Sequence, residues 1–368
     1  MQIYQPLGIM AGGRRPGTPA FDLKNNHQAL PLLENGLVFT HCREIGGEGE
    51  RPFSVEEIWQ ARQNLKNPNI ARVDEIFDAM CRFGNSAKKF AGFSLDKPLI
   101  MGIVNVTPDS FSDGGEFSDE NSAIDQALRL IDAGADLIDI GGESTRPGAA
   151  EVQPITEWQR VAPVIKQLIR RNIPISIDTR HALVMEKAWR EGVRILNDVS
   201  GFNYDPCARD IAAKSGLPVI IMHMRGTPDS MNIAPHYDNV IYEICTELQQ
   251  SLELAIKSGI KRENMMIDPG LGFAKNHEHN QKLLAGLAAV HSLGLPILLG
   301  ASRKGLSDRP HKAPLFHPEN PIKSKPRRIG SSLAAVIQGL QSGCQMFRVH
   351  DVRETSDAIA VWDVIANS

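Results

Sequence analysis

Residues 175–198, ISIDTRHALVMEKAWREGVRILND, hold two short apolar runs that each end in polar side chains, one at Asp178 and the other at Asn197 and Asp198. Between them, ALVMEKAWREG is patterned as an amphipathic helix and closes on Gly192, the residue type that most readily takes the left-handed conformation just past a helix end. Runs this continuously apolar fit strands buried on both faces, as parallel strands are. The stretch therefore reads as strand, helix, parallel strand. The same rhythm extends from Pro98 to the C-terminus, in runs LIMGIVN to Asn105, LIDIGGES from Leu137, ISID to Asp178, ILND to Asp198, VIIMHM from Val219, MMID to Asp268, ILLGAS from Ile297 and MFRVHD to Asp351. Helical patterns between them close with Gly134, Gly216, Gly259 and Gly343. Strict alternation of strand and helix over eight units predicts an α/β fold, a closed (β/α)8 TIM barrel, across residues 98–368.

Residues 1–97 break the rhythm and read as a small N-terminal α+β appendage. Asn35 and Gly36 lie between two apolar runs, a hairpin signal, and Ser54 with Glu57 has the spacing of a capping box ahead of IWQARQNLKN. VDEIFDAMCRF is a second helix candidate, and KAPLFHPENPIKSKPRR after the seventh strand reads as a mobile polar loop.

Composition narrows the function classes. With 42% hydrophobic and 23% charged residues and a net charge of −3, the chain has no basic field for nucleic acid, so a small-molecule substrate is expected. Five scattered cysteines without a CxxC pair read as reduced core thiols of a cytoplasmic protein. No secretory leader or membrane span is expected, since no run approaches about 20 apolar residues.

Active sites of such barrels lie at the C-terminal strand ends. Asn105, Asp139, Asp178, Asn197, Asp268, Lys304, Arg348 and His350 should converge there, joined by Thr145 and Arg146 from a loop. Asp178, Asn197 and Asp268 supply acceptors suited to a heterocycle edge rich in N–H donors. Arg146, Arg348 and His350 supply cations for an oxyanion such as pyrophosphate. A donor-rich ring at the floor and an oxyanion at the rim point to displacement of a phosphorylated leaving group, with Mg2+ sharing the charge.

GIVNVTPDSFSDGG (102–115) and DIGGESTRPGA (139–149) closely resemble the two signature loops of the dihydropteroate synthase family, and SIDT, LNDVSG, MHMRGTP, DPGLGFAKN, SRK and RVHDV follow in family order. The resemblance runs from about Pro98 to the C-terminus and implies that hydroxymethyl-dihydropterin pyrophosphate condenses with para-aminobenzoate. It implies that Asp178, Asn197, Asp268 and Lys304 hold the pterin and that Asn105 helps bind Mg2+. Thr145, Arg146, Arg348 and His350 would meet the pyrophosphate. Thr145, Pro147, Phe273 and Ser302 would line the para-aminobenzoate pocket, with Phe111 in SFSDGG closing over it as part of a hinged lid. A homodimer is expected. The residues depart from the family pattern at Ala274, where glycine is more common, and in the long segment 305–327.

Other signals read as structural. HEH at 277–279 lacks the spacing of a metal-binding helix and reads as a solvated loop, His223 and Met224 as strand-end residues near the pterin site, and the arginines of GGRRPG and PRR as surface charges. Two other functions are compatible with such a barrel: a pterin-dependent methyltransferase, and a catalytically silent homologue that partners another folate-pathway protein.

Overall fold

A computed structural model describes residues 2–33, 36–46, 52–64, 67–84, 87–107, 116–144, 151–227, 235–304 and 329–366. Eight parallel strands alternate with eight helices: β1 Leu99–Asn105, β2 Leu137–Gly141, β3 Ile175–Asp178, β4 Ile195–Asp198, β5 Val219–Met222, β6 Met265–Asp268, β7 Leu298–Leu299 and β8 Met346–Val349. The helices are α1 Glu116–Asp132, α2 Pro154–Arg170, α3 Ala182–Glu191, α4 Ala208–Ser215, α5 Val240–Lys257, α6 His277–Ala285, α7 Ile329–Gln341 and α8 Val352–Ala366. The ladder runs β6-β5-β4-β3-β2-β1-β8-β7, and a parallel bridge between Ile267 and Ile297 joins its two ends. The expected (β/α)8 barrel is therefore the observed fold. Its strands are buried almost throughout because helices cover their outer face, which is why they read as unbroken apolar runs. Gly192 at φ 106 ends α3 in the left-handed conformation anticipated for it.

The N-terminal end of the barrel is plugged. Phe90 and Leu95 pack among Leu99, Met101, Leu137, Ile195, Ile220, Met266, Leu298 and Met346 at the starts of the strands. Phe90 sits on a small hairpin, Lys89–Phe90 paired with Phe93–Ser94.

The preceding residues build their own core. Strand Ile3–Leu7 pairs antiparallel with His41–Ile45, Leu30–Leu32 pairs with Leu37–Phe39 as the anticipated hairpin, and helices Val55–Gln63 and Ile70–Arg82 pack over them through Ile58, Val73, Ile76, Phe77 and Met80. Ser54 and Glu57 form the capping box that their spacing implied. This part of the chain is fastened to the barrel. Ile3 lies in the barrel's outer core, and Tyr4 exchanges two bonds with Ser292, its N–H donating at 3.0 Å and its carbonyl accepting from the hydroxyl at 2.7 Å.

HEH differs from its loop reading. His277–His279 is the first turn of α6, where Asn276 caps the His279 N–H and His279 Nδ1 accepts from the Asn276 N–H. An asparagine with a histidine three residues on acts as the capping box there, a pairing that the usual Ser/Thr and Glu/Gln signature does not cover. The cysteines Cys42, Cys245 and Cys344 are buried thiols, whereas Cys207 is exposed and Cys81 half-buried. Arg14 and Arg15 are exposed, and the polar segment after the seventh strand lies outside the described residues.

Candidate active site

The ends of β2, β3 and β8 meet at one guanidinium, and β4 joins them through Asp139. Arg348 Nε donates to Asp139 Oδ2 at 2.6 Å, and Arg348 Nη2 donates to Asp178 Oδ2 at 2.6 Å. Asn197 Nδ2 donates to the same Asp139 oxygen at 3.2 Å. The barrel register makes this possible: Asp178 stands beside Gly141 and Asn197 in the ladder, and Asn105 beside Gly141. A Cβ at Gly141 would lie 3.6 Å from both Asn105 Oδ1 and Asp178 Oδ2, so the bare glycine leaves space between them. Burial pushes the Asp178 carboxyl up to about 7 against the pull of Arg348, and the flanking carboxylates hold the Arg348 guanidinium above its ordinary range despite its burial.

Asp139 is fully buried, and its Oδ1 has no hydrogen-bond partner among the described residues. A buried acceptor left open is costly, so it is a natural receiver for a ligand N–H. The sequence placed Asp139 at the mouth without a specific role. Arg348, expected at the pyrophosphate rim, is engaged here with the carboxylate floor.

The facing side is built on the β6–α6 and β7–α7 loops. Asp268 Oδ1 accepts from the Gly270 N–H at 2.7 Å, while a Cβ at Gly300 would lie 3.4 Å from Asp268 Oδ2 and 3.8 Å from Lys304 Nζ. Lys304 donates to the Leu271 carbonyl, and its ammonium lies 4.5 Å from the centre of the Phe273 ring. Burial lowers Lys304 to about 8 although Asp268 draws it upward. Gly272 at φ 79 permits this approach, since a Cβ there would lie 2.8 Å from Lys304 Cδ. Ser302 and His350 meet at 3.0 Å through Oγ and Nδ1, with the His350 N–H donating to the same hydroxyl. Asp268, Phe273 and Lys304 thus come together, Ser302 pairs with His350, and Arg348, which holds Asp139 and Asp178, also acts on Asp268 and Lys304. Phe111, Thr145, Arg146 and Pro147 lie outside the described residues.

A magnesium ion prefers hard oxygen ligands and keeps room for substrate phosphates. Asn105 offers an amide oxygen facing the open side of Gly141, which fits such a role. A second oxygen-rich cluster, Glu143, Glu157 and His181, does not fit as well. Both Glu143 oxygens are taken by Arg180, at 2.8 and 2.9 Å, and Glu157 Oε2 lies 2.6 Å from His181 Nδ1. Arg180 thus offsets the charge of Glu143, while Glu157 Oε1 and His181 Nε2 are buried without a hydrogen-bond partner among the described residues.

The pterin binding enzyme family matches residues 101–350. Dihydropteroate synthase of Escherichia coli strain K12 is 44% identical over 278 residues, covering 74% of this chain and 95% of that protein. The chain belongs to the dihydropteroate synthase family. Among solved structures, Yersinia pestis dihydropteroate synthase in complex with a sulfonamide drug is 40% identical with a TM-score of 0.67, covering 75% of this chain and 97% of that one. The Xanthomonas albilineans enzyme in complex with 7,8-dihydropteroate is 39% identical with a TM-score of 0.64, covering 75% and 96%. These family members match nearly their whole length while leaving about a quarter of this chain unmatched, a share close to the appendage in size.

Proposed function

We propose that the chain joins hydroxymethyl-dihydropterin pyrophosphate to para-aminobenzoate, giving dihydropteroate and pyrophosphate. The observation that carries this reading is the floor of three buried carboxylates, Asp139, Asp178 and Asp268, two of them facing Arg348 and one of them with an open oxygen. Such a floor recognises the guanidine-like edge of a pterin through paired N–H bonds. Asn197 and Lys304 are proposed to complete it, with Lys304 donating to a ring carbonyl or nitrogen. Acceptors along the ring stabilise positive charge as the exocyclic carbon releases pyrophosphate, and the aniline nitrogen then attacks that carbon and loses its proton. No strong base is needed, because an aniline is a free amine at neutral pH. A magnesium ion held through Asn105 would share the charge of the leaving pyrophosphate.

Thr145, Arg146 and His350 are proposed at the pyrophosphate rim, with Arg348 linking rim and floor. Phe273, Ser302, Thr145, Pro147 and Phe111 are proposed around para-aminobenzoate, where the lysine-stacked ring of Phe273 forms one wall. The catalytic domain is proposed to span 98–368, with the hairpin at 89–94 serving as its plug and the preceding residues as an appendage. A cytoplasmic homodimer completes the reading. No described helix is long and apolar enough to cross a membrane.

The test is to incubate the protein with the pterin pyrophosphate, para-aminobenzoate and Mg2+ and to measure pyrophosphate release. Release that depends on para-aminobenzoate is expected. Absence of release from folded protein that binds the pterin would instead favour a silent homologue, and methyl transfer to a corrinoid would overturn the assignment.

A further inference from the structure

The β6–α6 loop, residues 269–276, carries Phe273 and follows directly from Asp268, and it is wrapped around the buried ammonium of Lys275, while Lys304 meets it from the β7–α7 side at Leu271 and Phe273. Lys275 Nζ donates to the Gly270 carbonyl at 3.0 Å, to the Phe273 carbonyl at 2.9 Å and to His223 Nδ1 at 2.9 Å. The residue is 5% exposed, and none of these three partners is a carboxylate. The loop needs an internal strut, since it takes positive φ at Gly270, Gly272 and Ala274. Its outer turn is held separately by Asn280, whose side chain accepts from the Gly272 N–H at 2.7 Å and donates to the carbonyls of Lys275 and Asn276.

From these contacts we infer that Lys275 is a positioning residue for the para-aminobenzoate wall, and that its protonation is coupled through the tautomer of His223 to Glu247 on α5. This rests on the proposed place of Phe273 in the wall. An ammonium has only donors, so His223 Nδ1 accepts and its proton sits on Nε2, which faces Glu247 Oε2 at 3.0 Å. If Lys275 gives up its proton, its two remaining N–H groups keep the two carbonyls and its lone pair turns to His223. His223 must then carry its proton on Nδ1, which sets the Nε2 lone pair against a carboxylate. Glu247 therefore opposes loss of the lysine proton from two side chains away. Its own charge is secure: although burial works against it, hydrogen bonds from His223 and Arg225 hold the carboxyl down at about 2.

Burial lowers Lys275 well below its ordinary range, against the pull of Asp268 and Glu247. The charged groups facing it are Asp268 on β6, Lys304 after β7, Arg225 after β5, Glu247 on α5 and His279 on α6. Asp268 itself is fixed by the β-ladder and by the Gly270 N–H, so it is less dependent on Lys275 than the Phe273 carbonyl is.

The experiment compares Lys275→Met, Glu247→Gln and Phe273→Leu with the parent protein, measuring the KM for para-aminobenzoate at saturating pterin pyrophosphate from pH 6.5 to 9.5, the pterin Kd and Tm. Lys275→Met should raise the KM at least about tenfold while leaving the pterin Kd within about threefold, because a wall displaced by an ångström degrades one substrate's geometry. Glu247→Gln offers an amide N–H to the flipped imidazole. Its KM should match the parent at low pH and begin its alkaline rise at least about one pH unit earlier. An unchanged KM in Lys275→Met, or a KM and Kd that move together with a fallen Tm, would overturn the positioning role. Superimposable pH profiles for Glu247→Gln and the parent would overturn the coupling. Phe273→Leu separates the two readings: an unchanged KM there removes the wall itself, whereas a raised KM alongside an unaffected Lys275→Met removes only the strut.

Discussion

Arg348 on the last strand and Asp178 on the third are joined by a 2.6 Å bond across the mouth of the barrel. A guanidinium expected at the anion rim is thereby tied to the floor, and ligand binding inherits the titration of its partner. The floor accepts paired N–H bonds from a pterin more strongly when Asp178 is ionised, and burial pushes that group from 3.8 to about 7. Lys304 donates more strongly as an ammonium, and burial lowers it to about 8. Pterin affinity measured by calorimetry should accordingly peak between about pH 7 and 8 and fall on both sides. The acid limb should vanish in Asp178→Asn, which should also bind at least about tenfold more weakly. The alkaline limb should vanish in Lys304→Met. For stability the sign is the reverse of that for binding. The native carboxyl of Asp178 holds its proton longer than the unfolded chain does, so its contribution is full below about 4 and is lost as pH rises to about 7.

Glu143 and Arg180 form a buried bidentate pair whose side chains are 6% and 5% exposed. Glu143→Gln leaves the guanidinium without its charge partner, and breaking such a pair costs about 3–5 kcal/mol. A large fall in Tm at unchanged pterin stoichiometry is the expected result. An unaltered Tm would show that the pair adds nothing to folding.

Ala274 takes φ 49 at a position where glycine is commoner in the family. A side chain in the left-handed region costs roughly 1–2 kcal/mol, offset in part by the lower entropy of alanine in the unfolded chain. Ala274→Gly should therefore stabilise the protein by up to ~1 kcal/mol in denaturant titration.

Phe90 is 1% exposed and closes the N-terminal end of the barrel. Phe90→Ala should cost about 3–5 kcal/mol. Deleting residues 1–86 leaves the plug in place, so the pterin Kd should stay within about threefold even though the surface beneath Ile3 and Tyr4 is uncovered. A folded deletion variant that binds no pterin would make the appendage part of the site.

A sulfonamide should compete with para-aminobenzoate and bind only weakly without pyrophosphate, because Ser302 and Phe273 form only part of the proposed para-aminobenzoate pocket. Noncompetitive inhibition would place the drug elsewhere.

The barrel was readable because its strands and helices differ in period, and because strands buried on both faces carry unbroken apolar runs such as MMID. The floor was readable for a related reason: a polar residue closing each such run has only the mouth of the barrel to face. Which polar residue meets which was not readable. Arg348 and Asp139 lie 209 positions apart, and nothing local in either segment records their contact. The same holds for His279 as a cap partner and Lys275 as a strut, since each acts through backbone atoms that no side-chain motif encodes. The cysteines are free thiols as expected, but Cys207 shows that scatter along the chain does not fix depth.

The seam of the barrel is its most lightly bonded junction among the described strands, and the molecule is expected to open there first. β1 and β2 share five registered pairs, whereas β7 has two residues and meets β6 through the single bridge at Ile267 and Ile297. Cooperative protection scales with such local bonding, so the amides leading to Ser302 and Lys304 belong to a less protected unit than those beneath Asp139 and Asp178. A ligand that spans both units lends the weaker one the free energy of its own binding. The occupied enzyme is in that sense a tighter ring than the empty one, and resistance to opening becomes a measure of occupancy.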